Sequence, residues 1–249
     1  MHGPRLAHDQ IGSGPRLTMV HGFTQTSRCW GPFSEALAHR HELLTVDAPG
    51  HGRSSHISAA LPEAAALTVA TGGRGAYLGY SMGARICLAA ALDHPREVTR
   101  LVLVSGSPGI ADPAERNARR EADEVLADSI VEVETFIDRW LMQPLFAGLD
   151  PGRAERKARL ENTPEGLRSS LRMCGAGAQE PLWGRLSELS IPVLLVTGSD
   201  DPKYCSLAEE MVAGIGTNAS LAVIPGAGHT VHLEKPRETA GAVLEFLAR

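Results

Sequence analysis

The chain has no apolar run near the roughly 20 residues that a bilayer-spanning helix needs, so no membrane insertion is expected. The opening stretch "MHGPRLAHDQ" lacks the apolar core of a signal segment, which makes the cytoplasm the expected location. Cysteine is scarce. Cys29, Cys87, Cys174 and Cys205 lie far apart with no CxxC pair, and read as free, mostly buried thiols rather than a disulfide framework or zinc site. Ten histidines include no HExxH, and no glycine loop is spaced to cradle phosphates, so neither a metal nor a cofactor is expected. The formal net charge of -5 argues against a general nucleic-acid binder. Repeats and low-complexity linkers are also missing.

What remains is a chain of 249 residues, enough to bury a sizeable core. Apolar runs without polar alternation occur at "LTMVHGF" (Leu17–Phe23), within "HELLTVDAPGHGRS", at "GAYLGYSMG" and at "VTRLVLVSGSP". Such runs suit strands covered on both faces of a parallel sheet. Helix-like segments, "WGPFSEALAHR" and "ARICLAAALDHP", lie between them. Strand and helix in alternation imply an α/β fold with a mostly parallel central sheet flanked by helices. From Gly109 to Leu189 strand signals stop and charged helical patterns take over, breaking at Pro144 and Pro164. Strands resume with "IPVLLVTGSDD" and "ASLAVIPGAGHTVHLEKP", and "RETAGAVLEFLAR" closes the chain as an amphipathic helix. The expected organisation is a core of residues 1–108 and 190–249, with residues 109–189 inserted as a helical cap. The segment between "GHGRS" and "AYLGYS" leaves room for only a short helix, with Pro62 near its start and Gly72-Gly73 at its end. That puts the cover of one sheet face in question.

"GYSMG" places Ser81 between Gly79 and Gly83, directly after a strand and at the opening of a helix. G-x-S-x-G in that setting is a nucleophile elbow, whose tight turn leaves no room for side chains beside it. A serine there needs a base, and the base an orienting acid. Asp201 ends one later strand, and His229 follows the next, in the chain order Ser, Asp, His. Asp200 and His232 compete for the two roles. Asp201 is preferred for its G-x-x-D setting before "PKY", and His229 for its place in the "GAGH" turn. Negative charge developing on a substrate oxygen would meet the backbone N–H groups of Phe23 and Met82. His21 reads as a structural residue of the "HGF" loop.

Together "HGF", "DAPGHGRS", "GYSMG", "GSDD" and "GAGH" resemble the α/β-hydrolase superfamily over nearly the whole chain. Within it, "GYSMGAR", "SGSPGIADPAERNARREAD", "WLMQPLF", "RLENTPEGLRSSLRMCGAGAQEPLW" and "GSDDPKY" resemble the 2-succinyl-6-hydroxy-2,4-cyclohexadiene-1-carboxylate (SHCHC) synthases of menaquinone biosynthesis. The resemblance implies a lyase that removes pyruvate from an enolpyruvyl cyclohexene carboxylate, with Ser81 as the base. It also implies a small anionic substrate held by Arg85, Arg119 and Arg159, with Trp140, Tyr80 and Lys203 as further lining. Three carboxylates on that substrate suit the bidentate fork of arginine. A serine hydrolase with the same three residues is the alternative, and a non-catalytic ligand-binding protein the second. Ser81 argues against a haloalkane dehalogenase, whose nucleophile at that position is an aspartate.

Overall fold

The computed structural model describes residues 5–249. Seven strands form one sheet: β1 (His8–Ile11), β2 (Arg16–Val20), β3 (Glu42–Val46), β4 (Gly75–Tyr80), β5 (Val98–Val104), β6 (Val193–Gly198) and β7 (Ala219–Ile224). Their order is β1-β3-β2-β4-β5-β6-β7, with β1 antiparallel to β3 and every other pair parallel. Helices α1 (Gly31–Ala38), α2 (Leu61–Gly72) and α3 (Met82–Asp93) alternate with the early strands. Between β5 and β6 come α4 (Pro113–Asp128), α5 (Val133–Leu141), α6 (Arg156–Arg159) and α7 (Pro164–Cys174), and no strand. Helices α8 (Pro202–Ile215), α9 (Val231–Glu234) and α10 (Pro236–Leu247) complete the chain.

Period-two alternation decides which side chain goes to which face. Leu101 and Leu103 of β5 enter the layer filled by α2, α3 and α8, while Val102 and Val104 enter the layer filled by α1 and α10. Both faces are therefore apolar, which is why these strands read as continuous runs. The first strand escapes that reading. "HDQI" is four residues long, mostly exposed and on the sheet edge, too short and polar to carry a periodic signal.

Helix α2 corrects the expectation of poor cover on its face. It runs 12 residues, the same as α3, and packs beside it through Ala64, Ala65 and Val69. Pro62 sits in its first turn, where a missing N–H is harmless, and Gly73 at φ 66° ends it. Leu6 joins this layer, and its N–H donates to Thr71 Oγ1 at 2.9 Å.

Three helices start with the same chemistry, an oxygen-bearing cap followed by proline. Asp112 accepts from Glu115 N–H to begin α4, Thr163 from Gly166 N–H to begin α7, and Asp201 from Tyr204 N–H to begin α8. Helices α4, α5 and α7 share a small apolar core of their own, with Ile130, Phe136, Ile137, Leu167 and Leu171 at its centre.

Candidate active site

Strand β4 turns into α3 at Ser81, whose φ of 52° and ψ of -107° lie outside the regions L-residues favour. Its N–H donates to the Val104 carbonyl at 2.9 Å, fixing the turn to the neighbouring strand. A Cβ on Gly79 would overlap the Gly83 carbonyl, and one on Gly83 would overlap the Val20 carbonyl. The flanking glycines are therefore demanded by backbone against backbone, which no rotamer change relieves. A Gly83→Ala variant should lose about 3 kcal/mol or more of stability, at the top of the overpacking range. Urea unfolding reads this directly, and a variant as stable as the parent would contradict the crowding.

The turn presents Ser81 to His229. Ser81 Oγ lies 3.2 Å from His229 Nε2, and His229 Nδ1 lies 2.8 Å from Asp201 Oδ2. His229 and Asp201 are 2% and 8% exposed, so the array is largely withdrawn from water. Asp201 works twice: Oδ1 caps α8 while Oδ2 faces the imidazole. With Nδ1–H donating to the carboxylate, Nε2 is left to accept the serine proton. The Ser105 hydroxyl donates to the His229 carbonyl at 2.8 Å, pinning the backbone behind the ring. Asp200 takes no part; its carboxylate accepts from the Ser199 hydroxyl. His232 also lies elsewhere, packed on Tyr80, Trp30 and Phe33, and neither ring nitrogen has a partner among the described residues.

A cavity opens over Ser81 Oγ, roofed by α4, α5 and α7. Phe23, Met82, Arg85, Arg119, Trp140 and Tyr204 line it with Ser81 and His229. Among the described residues its wall carries two guanidinium groups and no carboxylate. The backbone N–H groups of Phe23 and Met82 donate to no protein acceptor among the described residues. Met82 N–H is at the amino terminus of α3, where such groups point outward unpaired. Arg85 is 8% exposed and makes no ion pair among the described residues; its Nη1 donates to Gln179 Oε1 at 2.9 Å. Burial lowers its pKa, the mark of a cation whose charge lacks a counter-ion. Arg119 is half exposed, and its Nε donates to Asp123 Oδ1 at 2.8 Å; among the described residues neither Nη group has a partner. Trp140 stands edge-on to Phe23, with ring centroids 5.1 Å apart.

Three of the expected substrate contacts lie outside this cavity. Arg159 is fully buried at the end of α6, where Nε donates to the Ala154 carbonyl and Nη1 to Thr24 Oγ1. It ties α6 to the "HGFT" loop. Tyr80 sits beneath Gly22, where a Cβ would meet its ring at 2.7 Å, and packs at a tilt against His232 with centroids 4.4 Å apart. Lys203, one residue beyond Pro202, faces an adjoining cavity that it shares with Asp112, Glu115 and Glu210.

A model of the family described as "Alpha/beta hydrolase family" matches residues 19–242. The chain belongs to the α/β-hydrolase family. The SHCHC synthase of Enterobacter sp. (strain 638) is 32% identical over 94% of this chain and 92% of its own length. A Bacillus subtilis (strain 168) protein that carries the same name provisionally is 34% identical, over 97% of this chain and 93% of its own. Among solved structures, MenH from S. aureus superposes with a TM-score of 0.88 at 28% identity, covering 97% of both chains. The chain is thus an enzyme of the α/β-hydrolase type that resembles the SHCHC synthases. Among its described residues no helix is long and apolar enough to cross a membrane.

Two residues of this α/β-hydrolase's site, Tyr204 in the cavity wall and Gln179 bonded to Arg85, escape a reading of its sequence. Tyr204 covers the His229 ring, with centroids 4.4 Å apart, and burial pushes its hydroxyl pKa up. Its place three residues after Asp201 is the one signal that could have found it. Gln179 anchors Arg85 and donates to the Pro108 carbonyl at 3.0 Å, from "GAGAQEPLW", a stretch that shares in the family resemblance but has no local pattern pointing to Arg85.

Buried neutral histidines support the site from behind. The Ala48 N–H donates to His21 Nε2 and the Thr24 N–H to His51 Nε2, while each Nδ1 faces a nearby carbonyl. Burial lowers the pKa of His21 from 6.5 to about 4, and of His51 and His232 to about 3. Above pH 6.5 these rings are neutral in both folded and unfolded chains. Below it the unfolded chain takes up protons that the folded chain refuses, so stability falls as pH drops from 6.5 towards 4. With three such groups the slope approaches about 4 kcal/mol per pH unit. Thermal melts between pH 7 and 4.5 should show that decline, and His232→Leu should reduce the slope by one proton. A flat profile would mean that the rings protonate in place.

Proposed function

We propose that this enzyme is a lyase of menaquinone biosynthesis. It eliminates pyruvate from 2-succinyl-5-enolpyruvyl-6-hydroxy-3-cyclohexene-1-carboxylate to give SHCHC. The observation that carries the reading is the cavity wall: among the described residues it holds two guanidinium groups, one buried and without a counter-ion, and no carboxylate, beside the Ser81–His229 pair. A pocket built this way inside a chain of net charge -5 selects an anion, not a neutral ester. The names of the relatives supply the particular anion.

In this mechanism His229 Nε2 draws the proton from Ser81 Oγ, and the oxygen removes the proton on the ring carbon alpha to the succinyl carbonyl. Asp201 holds the imidazole in the tautomer that can accept, and stabilises the imidazolium that forms. Charge moves onto the carbonyl oxygen, where the N–H groups of Phe23 and Met82 receive it. Collapse of that enolate forms the diene and breaks the carbon–oxygen bond to the enolpyruvyl group. The leaving enolate takes a proton and becomes pyruvate. Neither water nor an acyl-enzyme enters the balance. Arg85 and Arg119 hold substrate carboxylates, and Trp140 packs on the ring. Residues 109–189 act as the cap that encloses the substrate over the core.

A lactate-dehydrogenase-coupled assay tests this with the enolpyruvyl substrate and p-nitrophenyl acetate side by side. Pyruvate release at a rate far above that of ester cleavage is expected. Ready ester turnover with no pyruvate would make the protein a serine hydrolase, and turnover of neither would make it a binding protein.

A further inference from the structure

Five residues past His229, the Glu234 carboxylate folds back onto the turn that carries the imidazole. Its Oε2 accepts from the Gly228 N–H at 2.7 Å. Its Oε1 accepts from the Thr230 N–H at 3.0 Å and the Thr230 hydroxyl at 2.7 Å. The donors are the two residues on either side of His229, so the carboxylate brackets that residue. The third restraint is the Ser105 hydroxyl on the His229 carbonyl. Among the described residues the Glu234 carboxylate makes no ion pair; its hydrogen-bonding capacity goes into this one turn. From the other side it is covered by the chain at Gly148, where a Cβ would press on the carboxylate, 3.2 Å from Cδ.

We propose that Glu234 is a positioning residue for His229: by holding the N–H groups at 228 and 230 it sets the reach of the imidazole to Ser81 and Asp201. The assignment rests on reading His229 as the proton carrier. The geometry sets two demands. First, the group at 234 needs two acceptor oxygens, because the donors approach from opposite sides. Glutamine offers one oxygen and turns its amide N–H₂ towards the other donor, so Glu234→Gln removes one arm at almost constant volume. Second, position 148 must stay free of a side chain. Gly148 has no left-handed backbone angle, so Gly148→Ala tests crowding without backbone strain.

The test is steady-state pyruvate release by the full chain, together with the proton NMR signal of His229 Nδ1–H, which reports the bond to Asp201 independently of substrate. Glu234→Gln should lower kcat about tenfold, as small misplacements of a reacting group do, with KM within about twofold. The Nδ1–H signal should shift or broaden. Gly148→Ala should do the same to a lesser degree, and the double variant should be no worse than Glu234→Gln alone. Should Glu234→Gln fail to fold, Gly148→Ala and its signal carry the decision. A wild-type kcat with an unmoved signal would overturn the assignment, as would a loss of melting temperature without loss of kcat. A His229→Ala control separates the two claims. If it retains full pyruvate release, the proposed chemistry falls, while the Nδ1–H signal of Glu234→Gln still decides whether Glu234 places the ring.

Discussion

Ser81→Ala should reduce kcat for pyruvate release by about 10⁴-fold or more, the scale seen when a triad nucleophile is removed from enzymes that depend on one. The substitution deletes one oxygen from a position where backbone contacts, not the side chain, fix the turn: the N–H donates to Val104 and the neighbours are glycines. Alanine suffers the same φ of 52° as serine, so stability should change little. KM should stay within a few-fold, because the arginines and Trp140 that line the cavity are untouched. Loss of kcat with retained binding and a retained melting temperature is therefore the signature. A variant with a tenth or more of the parental kcat would remove Ser81 from the chemistry and shift the base to His229 itself.

Arg85→Met should lower kcat/KM for the enolpyruvyl substrate by about 10²- to 10³-fold, as expected when one partner of a desolvated charge pair is deleted. Methionine keeps much of the apolar stem packed in the helix, so the change isolates the guanidinium. Arg85 is buried, and among the described residues its one hydrogen-bond partner through the guanidinium is the neutral Gln179. A cation held this way is unfavourable until an anion arrives, so the free enzyme should gain stability from Arg85→Met while the substrate loses its grip. Turnover of p-nitrophenyl acetate, which has no carboxylate, should stay within about twofold. Equal losses on both substrates would instead make Arg85 a structural support of the elbow. The split between substrates and the rise in melting temperature are separate readings of one physical statement.

The residues that meet over the sheet were legible because each sits at a point the backbone dictates. Ser81 is marked by glycines that the Gly83–Val20 and Gly79–Gly83 approaches require, and Asp201 and His229 by the ends of buried strands. Arg85 is marked by its place one turn beyond Ser81 on α3, which fixes its direction. The resemblance implied substrate roles for Arg159 and Lys203 too, but their directions depend on long-range packing. Arg159 reaches Thr24, 135 residues away, and so ends in the interior rather than in the cavity. Lys203 follows Pro202 on α8 and lines the adjoining cavity instead of the one over Ser81. Gln179 meets Arg85 across 94 residues, and no local pattern announces such a partner. Strand β1 was missed for a different reason: an edge strand of four residues needs no apolar face of its own.

The central claim is an elimination driven by Ser81 as a base, with no covalent intermediate. Its most direct test is one reaction with the enolpyruvyl substrate, sampled together for pyruvate, for SHCHC and for the intact mass of the protein. The account predicts one pyruvate per SHCHC and an unchanged protein mass throughout turnover. A protein heavier by an acyl group on Ser81, or product formed without pyruvate, would contradict it.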